Sequence, residues 1–386
     1  MQEYLLSIII PTKNRQYYSL NSVKQILSCY GDEVEIVVQD NSDDDSLMKQ
    51  IAELRCENVI YNYQAGVLSF VDNFDIAIGL ANGKYMMLIG DDDGTTSLAL
   101  KVAKWADRNE ISSVKPSLSF VYFWPGSQVF EQDDNGVLNI FSYDGKIQEY
   151  DSKEGLTCLL RRSCQNYLDG DLIKLYHGLV RRDLLDRIKG KTGRYVGGLS
   201  PDIYLSVALS LTSKEKAINL NVPLTISGIC TGSGSSQSAT GEHTGKLEDA
   251  PHFRGHENYE WDSRIPRFYS VETIWGDSAI AAVKEINSNY MKYYKTETLT
   301  YTCLRKYPKF KETIIENYNN NGGNVLKLGY YICSRVINKI ISKLRRNKVD
   351  GVIKSENGLK TIGKASEICE AWIKEHSESF AFEKFK

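Results

Sequence analysis

Hydrophobic and polar positions in the first third of the chain fall into two alternating kinds of block. Leu5 to Ile10 is a continuous apolar run closed by Pro11, the pattern of a strand buried on both faces. From about Ser19 to Cys29, Leu20, Val23, Ile26 and Leu27 recur at helical spacing. Val34 to Val38 is a second apolar run, and it ends in the polar turn Gln39-Asp40-Asn41-Ser42. A helix from about Ser46 to Leu54, a strand from Val59 to Tyr63, a helix from about Phe70 to Leu80 and a strand from Tyr85 to Ile89 complete the series. This order predicts an α/β fold with a mainly parallel sheet and flanking helices. Ligands of such sheets gather at the carboxyl ends of the strands. Asp40 and the triplet Asp91-Asp92-Asp93 both stand at such ends.

Further along, the pattern is mixed. Phe120–Trp124, Gly136–Phe141 and Val222–Ile229 read as strands, and Tyr204–Leu211 reads as a helix entered through Ser200-Pro201-Asp202. Residues 228–245 are rich in Gly, Ser and Thr, the composition of a flexible loop or lid. From about Arg267 onward the periodicity is helical. The expected organisation is residues 1–115 as the first half of an α/β domain, 116–255 as its second half, and 256–386 as a helical C-terminal region. Within that region, Val325 to Asn347 read as an amphipathic helix with Cys333, Val336, Ile337, Ile340, Ile341 and Leu344 on one face. Arg335, Lys339, Lys343 and Arg346 lie opposite. Packing on the rest of the protein is the first reading of this helix. Contact with an anionic lipid surface is the second.

Composition narrows the classes. Of the 386 residues, 42% are hydrophobic and 25% charged, and the formal net charge of −2 argues against nucleic acid as main partner. The eight cysteines are scattered, without CxxC or zinc-ligand spacing, as expected of free thiols in a reducing compartment. Neither a secretory leader pattern nor an apolar run long enough to span a bilayer is present in the sequence. These features lead us to expect a cytoplasmic protein, peripheral to a membrane at most.

Three adjacent carboxylates after a buried strand repel one another and lose solvation. A divalent cation sharing two of them with diphosphate oxygens removes that penalty and neutralises a leaving nucleoside diphosphate. A polar turn shaped by Asp93-Gly94 is the plainer reading, and Asp40 is equally compatible with an Asx turn.

Ser7-Ile-Ile-Ile-Pro-Thr-Lys-Asn-Arg15, Val37-Val-Gln-Asp-Asn-Ser42 and Ala81-Asn-Gly-Lys-Tyr-Met-Met-Leu-Ile-Gly-Asp-Asp-Asp93 resemble, in order and spacing, the motifs of family 2 glycosyltransferases of the GT-A fold. The resemblance covers roughly the first 110 residues. It implies a nucleoside-diphosphate sugar as donor, Mn²⁺ or Mg²⁺ as cofactor, and inversion at the anomeric carbon. Pro11 and Asn14 would border the base, Asp40 would bind the base or ribose, and Asp91 and Asp92 would lie beside the ribose and diphosphate. Asp92 and Asp93 would hold the metal, although three aspartates leave two registers open.

An inverting transfer also needs a carboxylate to take the acceptor's proton. Asp202, in Gly197-Gly-Leu-Ser-Pro-Asp-Ile-Tyr-Leu205, resembles the family's second acidic motif and also reads as a good helix start. Asp169 and Asp171 are reserve candidates that read better as a polar turn. Arg181 or Arg182 could offset diphosphate charge, but surface arginines more often do not. His243 or His252 could bring a third metal ligand from a closing loop, against a plainer reading of His243, His252 and His256 as solvated. Trp124, Tyr167, Tyr176, Tyr195 and Trp261 are the aromatic candidates for sugar faces.

The expected acceptor is a hydroxyl of a glycan or polyprenyl-linked glycan in bacterial surface-polysaccharide synthesis, at the cytoplasmic face of the membrane. A nucleotidyltransferase or dehydrogenase would need a Gly-rich loop after the first strand, and Pro11-Thr-Lys-Asn-Arg supplies none. An inactive partner subunit or glycan-binding scaffold is the non-enzymatic alternative.

Overall fold

Leu6–Thr12 forms β1, a strand with every side chain buried. Its alternation explains the uninterrupted apolar run, since Ile8 and Ile10 enter one hydrophobic cluster and Ile9 the other. β2 (Glu35–Asp40) and β4 (Tyr85–Leu88) pair with it in parallel, and β3 (Val59–Tyr63) pairs in parallel with β2. The register sets Thr12 beside Asp40 and Asp40 beside Tyr63, so the ends of these strands lie level. The crossovers are α1 (Gln16–Tyr30), α2 (Ser46–Glu53) and α3 (Phe70–Leu80). α3 begins with the Ser69 hydroxyl accepting the Asp72 N–H, a side-chain cap.

Beyond β4 come β5 (Gly94–Thr95), α4 (Leu98–Arg108), β6 (Ser113–Phe123), β7 (Gly136–Phe141) and β8 (Ile147–Tyr150). α5 (Ser152–Arg161), β9 (Leu179–Arg181), α6 (Arg182–Thr192), α7 (Pro201–Thr212) and β10 (Ala217–Ile229) follow. β11 (Thr244–Gly245) and β12 (Tyr269–Ser270) form a separate antiparallel pair. Next are α8 (Val271–Asn287), α9 (Glu297–Lys306), α10 (Lys311–Asn320), β13 (Val352–Leu359) and α11 (Ile362–Glu375). This is a computed structural model, and it describes residues 3–127, 135–231, 244–256, 259–324, 326–332 and 352–376.

The strand order of the large sheet is β13-β7-β6-β9-β4-β1-β2-β3, with β10 lying along β6 and also pairing β5 and β8. The fold is α/β, with helices on both faces of the sheet and a helical C-terminal region. α1, α4 and α11 cover one face, burying Val23, Leu98, Val102 and Ile362. α3 and α5–α8 cover the other, burying Phe74, Leu156, Leu184, Ile203 and Val283. The antiparallel β9 lies between β4 and β6 and joins the parallel strands to the rest of the sheet.

The structure corrects two expectations. Gly228 and Ile229 belong to β10 rather than to the Gly/Ser loop, because β10 pairs with β6 as far as Ile229↔Phe123. The C-terminal region contains a strand, β13, which pairs antiparallel with β7 at the sheet edge. Residues 326–332 of the amphipathic segment are helical, while the rest of it, like His243, lies outside the described residues.

Candidate active site

The acidic triplet leaves β4 through Gly90 and turns into β5. All three carboxylates are buried, at 2–4% exposure. Arg15, at the start of α1, reaches across the end of β1 and places one guanidinium nitrogen 2.9 Å from Asp91 Oδ1 and another 2.9 Å from Asp92 Oδ2. Thr12 donates its hydroxyl to Asp91 Oδ2 at 2.7 Å. Asp93 is held differently. Its Oδ1 accepts the Gly228 N–H at 2.7 Å, and its Oδ2 accepts the Gly90 N–H at 2.6 Å and the Tyr176 hydroxyl at 3.1 Å. Behind the turn, the buried Trp124 donates its indole N–H to the Asp92 carbonyl at 2.9 Å. It therefore braces the site instead of offering a face to a sugar.

Three carboxylates face one fixed positive charge. Burial pushes each of Asp91, Asp92 and Asp93 up to about 6, against the pull of Arg15 on the first two and of backbone N–H donors on the third. His177 does not make up the deficit. Burial, with Lys174 nearby, pulls it down to about 3, so the imidazole is neutral at pH 7. Its Nε2 lies 3.5 Å from Asp93 Oδ2, and its Nδ1 lies 2.9 Å from the Thr225 hydroxyl. A carboxylate on the Nε2 side favours the tautomer with the proton there and Nδ1 accepting from Thr225. Cys230 takes a hydrogen bond from Arg15 at 2.6 Å, and burial raises its thiol to about 12, which excludes it as a nucleophile.

The neighbouring loops are tied together over the same strand ends. The Asn14 amide donates to Asp43 Oδ2 and accepts the Asp43 N–H, both at 2.8 Å, and the Asn14 N–H bonds the Ser42 hydroxyl. Pro11 is buried in register with Gln39. Asp40 is fully buried; its Oδ1 accepts the Ser42 N–H in an Asx turn and its Oδ2 accepts the Tyr61 hydroxyl at 2.7 Å. The Lys13 ammonium bonds the Asn41 carbonyl at 2.6 Å and has Arg254 within electrostatic range.

Asp202 sits in the first turn of α7, after Pro201. Its carboxylate accepts the hydroxyls of Tyr167 and Ser200. Lys174, which burial lowers to about 8, lies in electrostatic range of Asp202, and His177 lies in range of Lys174. Tyr167 is likewise in range of Tyr176, which touches Asp93. Asp202 and the acidic triplet thus both act on the buried pair Tyr167 and Tyr176.

Residues 7–122 match the family described as Glycosyl transferase family 2. The chain carries a family 2 glycosyltransferase domain. No curated protein matches the sequence. Similar solved structures include Staphylococcus aureus TarS, 13% identical over 81% of this chain and 55% of that one, with a TM-score of 0.43. This chain thus spans about half the length of full TarS. A shorter form, TarS 1–349 in complex with UDP-GlcNAc, matches at 13% identity over 83% and 93% of the two chains, again with a TM-score of 0.43. The mannosyltransferase PcManGT from Pyrobaculum calidifontis, in complex with GDP-Man and Mn²⁺, matches at 12% identity over 83% and 88%, with a TM-score of 0.37.

The matched segment of the family 2 domain holds Thr12, Arg15, Asp40 and the triplet, whereas Asp202, Tyr176, His177 and Gly228 lie beyond it. A Cβ added at Gly90 would lie 3.0 Å from Asp93 Oδ2 and 3.1 Å from Asp92 Oδ1, so these two oxygens face one gap that a glycine keeps open. Among the described residues no three His, Cys, Asp or Glu side chains converge as a metal-binding set. His252, a candidate third ligand, instead packs against the rings of Phe70 and Tyr269. His256 packs on Tyr259. Asp171 is paired with Lys115 at 3.3 Å, and Asp169 is an exposed residue of a 3₁₀ turn. Arg181 pairs with Asp183, and Arg182 donates to the Ala81 carbonyl; the contacts of both arginines lie away from the triplet. No periodicity in the sequence marks Arg15, Tyr176, His177 or Gly228 as parts of this site. Arg15 does stand inside a segment that carries the family resemblance.

Proposed function

We propose that the chain is an inverting transferase that moves a sugar from a nucleoside-diphosphate sugar to a hydroxyl of a glycan or lipid-linked glycan. The observation that carries this reading is the buried acidic turn at the end of β4, with three carboxylates against one guanidinium and the Asp202 carboxylate within electrostatic reach of the same buried tyrosines. The nucleoside would lie over the ends of β1 and β2, bordered by Pro11, Asn14 and Asp40. Its diphosphate would lie by Asp91 and Asp92, with Lys13 and Arg254 on the same side. Mn²⁺ or Mg²⁺ bound by Asp92 and Asp93 would neutralise the charge that develops on the departing diphosphate.

Asp202 would act as base. The acceptor oxygen forms its bond to the anomeric carbon as the bond to the diphosphate oxygen breaks. The bonding pair leaves with the nucleoside diphosphate, and the acceptor proton passes to Asp202. The Tyr167 and Ser200 hydroxyls and the Ile203 N–H fix the orientation of this carboxylate; Oδ1 accepts two of these bonds, and Oδ2 keeps a second lone pair for the acceptor's proton. The proposed setting is surface-polysaccharide synthesis at the cytoplasmic face of a membrane, with the basic segment 325–347 touching lipid. Among the described residues no helix is long and apolar enough to cross a membrane.

Two measurements test the reading. A thermal-shift series with UDP, GDP, ADP, CDP and TDP, with and without Mn²⁺, should single out at least one stabilising nucleotide; stabilisation by none would overturn the donor site. The Asp202→Asn variant should keep that binding and lose transfer by about 10²–10⁴-fold. Transfer at near the wild-type rate would remove Asp202 from the base role.

A further inference from the structure

Arg15 is built into the acidic turn in a way that a surface arginine is not. Its guanidinium bridges two sequence-adjacent carboxylates at 2.9 Å each, donates to Cys230, and lies over the Tyr18 ring at 5.4 Å from its centroid. The fit is good in charge and poor in hydrogen bonding. Arg15 Nε is buried without an acceptor, and Asp92 Oδ2 is buried without an aligned donor. A buried donor lacking its acceptor costs on the order of 1–3 kcal/mol, so this arrangement is held by charge and lacks a full set of bonds. A diphosphate oxygen is the type of acceptor that would complete it.

We infer that Arg15 is the resident counter-ion of the acidic turn, competing with the divalent cation for Asp92. The cation then enters together with the donor's diphosphate, which becomes Arg15's new partner. This rests on the donor reading above and adds an order of events to it. In the nucleotide-free protein, a divalent ion must displace a guanidinium that has nowhere better to go. When the diphosphate arrives, it accepts the bonds of Arg15, including the unmet one at Nε, and releases the two carboxylates. Arg15 is therefore a positioning residue that suppresses metal binding by the empty site and strengthens it in the occupied one. The coupling is reciprocal, as linkage between two bound species requires.

The test is Mn²⁺ titration of the nucleotide-free full chain, read by isothermal calorimetry or by the Mn²⁺ electron-spin signal, for wild type, Arg15→Gln and Arg15→Lys. Arg15→Gln should bind Mn²⁺ about ten-fold more tightly than wild type, the scale of one close charge pair. With Mn²⁺ saturating, the same variant should bind the stabilising nucleoside diphosphate about ten-fold more weakly. Lysine keeps the charge but cannot span both carboxylates, so Arg15→Lys should fall between the two. Mn²⁺ affinity equal to or below wild type in a folded Arg15→Gln chain overturns the inference. If Arg15→Gln does not fold, the same comparison on Arg15→Lys decides it. If wild type binds no nucleoside diphosphate at all, the donor reading falls, and the Mn²⁺ titration alone still decides whether Arg15 competes with the metal.

Discussion

Gly228 sets the tightest steric constraint on the acidic turn. A Cβ there would lie 1.8 Å from the Asp92 carbonyl oxygen and 2.6 Å from its carbon, both backbone atoms that cannot rotate aside. Gly228→Ala must therefore push β10 away from the turn. That would break the Gly228 N–H bond to Asp93 and disturb the indole bond of Trp124. We expect a loss of about 1–3 kcal/mol in urea unfolding and weakened nucleoside diphosphate binding. An unchanged unfolding midpoint would mean that β10 and the turn are not in this contact. At the residue scale the sequence was partly legible. The triplet and Asp202 announce themselves as carboxylates after a strand and in a helix start. Gly228 instead reads as the edge of a flexible loop, because a glycine kept for close approach looks the same in sequence as one kept for freedom. Nor does local sequence show that Arg15 is aimed at carboxylates more than seventy positions away.

At the scale of elements, α8 seats the proposed base. The Ser278 hydroxyl accepts the N–H groups of Leu199 and Ser200, fixing the chain just before α7, and Tyr204 of α7 donates to Glu285. α8 is itself anchored through Asp277, which accepts the Tyr259 hydroxyl at 2.6 Å and the Asp262 N–H at 2.8 Å. Burial raises Asp277 to about 6. Its folded pKa thus lies above the unfolded one, so between roughly pH 4 and 6 the folded state binds the proton more readily. Stability from this group is present at low pH and declines as pH rises through about 6, by about 3 kcal/mol at most. Unfolding followed from pH 4.5 to 7.5 should show wild type losing ground to Asp277→Asn across that window. Parallel pH profiles for the two proteins would refute it.

Several elements are visible in the sequence because burial imposes their period. β3, α3 and β7 match the expected spans. The first half of β6 is less legible. Lys115, Pro116, Ser117 and Ser119 discourage a strand, and the structure accommodates them beside a register irregularity between Leu220 and Pro223 of β10. β13 is polar and mostly exposed, so it has no hydrophobic signature; pairing with β7 defines it.

Taken as a whole molecule, the far end of the chain supports the near end. The side chain of Gln25 in α1 bonds both the N–H and the carbonyl of Thr95 at 2.9 Å, and donates to the Ser366 hydroxyl of α11 at 2.8 Å. Glu370 accepts the Ser97 N–H at 2.8 Å, just before α4. Ile362, Ala365, Cys369 and Ile373 of α11 are buried against α1 and the sheet. Removing residues 352–386 should lower Tm by more than about 5 °C, since several buried side chains are lost together. It should also weaken nucleotide binding, because β5 continues directly from the triplet. A truncated chain with wild-type Tm would show that α11 is dispensable.

The bracing of residues 94–97 by residues 366 and 370 also has a consequence for synthesis. At about 5–20 residues per second, the acidic turn leaves the ribosome roughly 15–55 s before the helix that backs it. During that interval a nascent chain carries three crowded carboxylates on a turn whose support has yet to be made. Completion of the site is then one of the last events in making the protein, although its most recognisable motif appears in the first quarter of the chain.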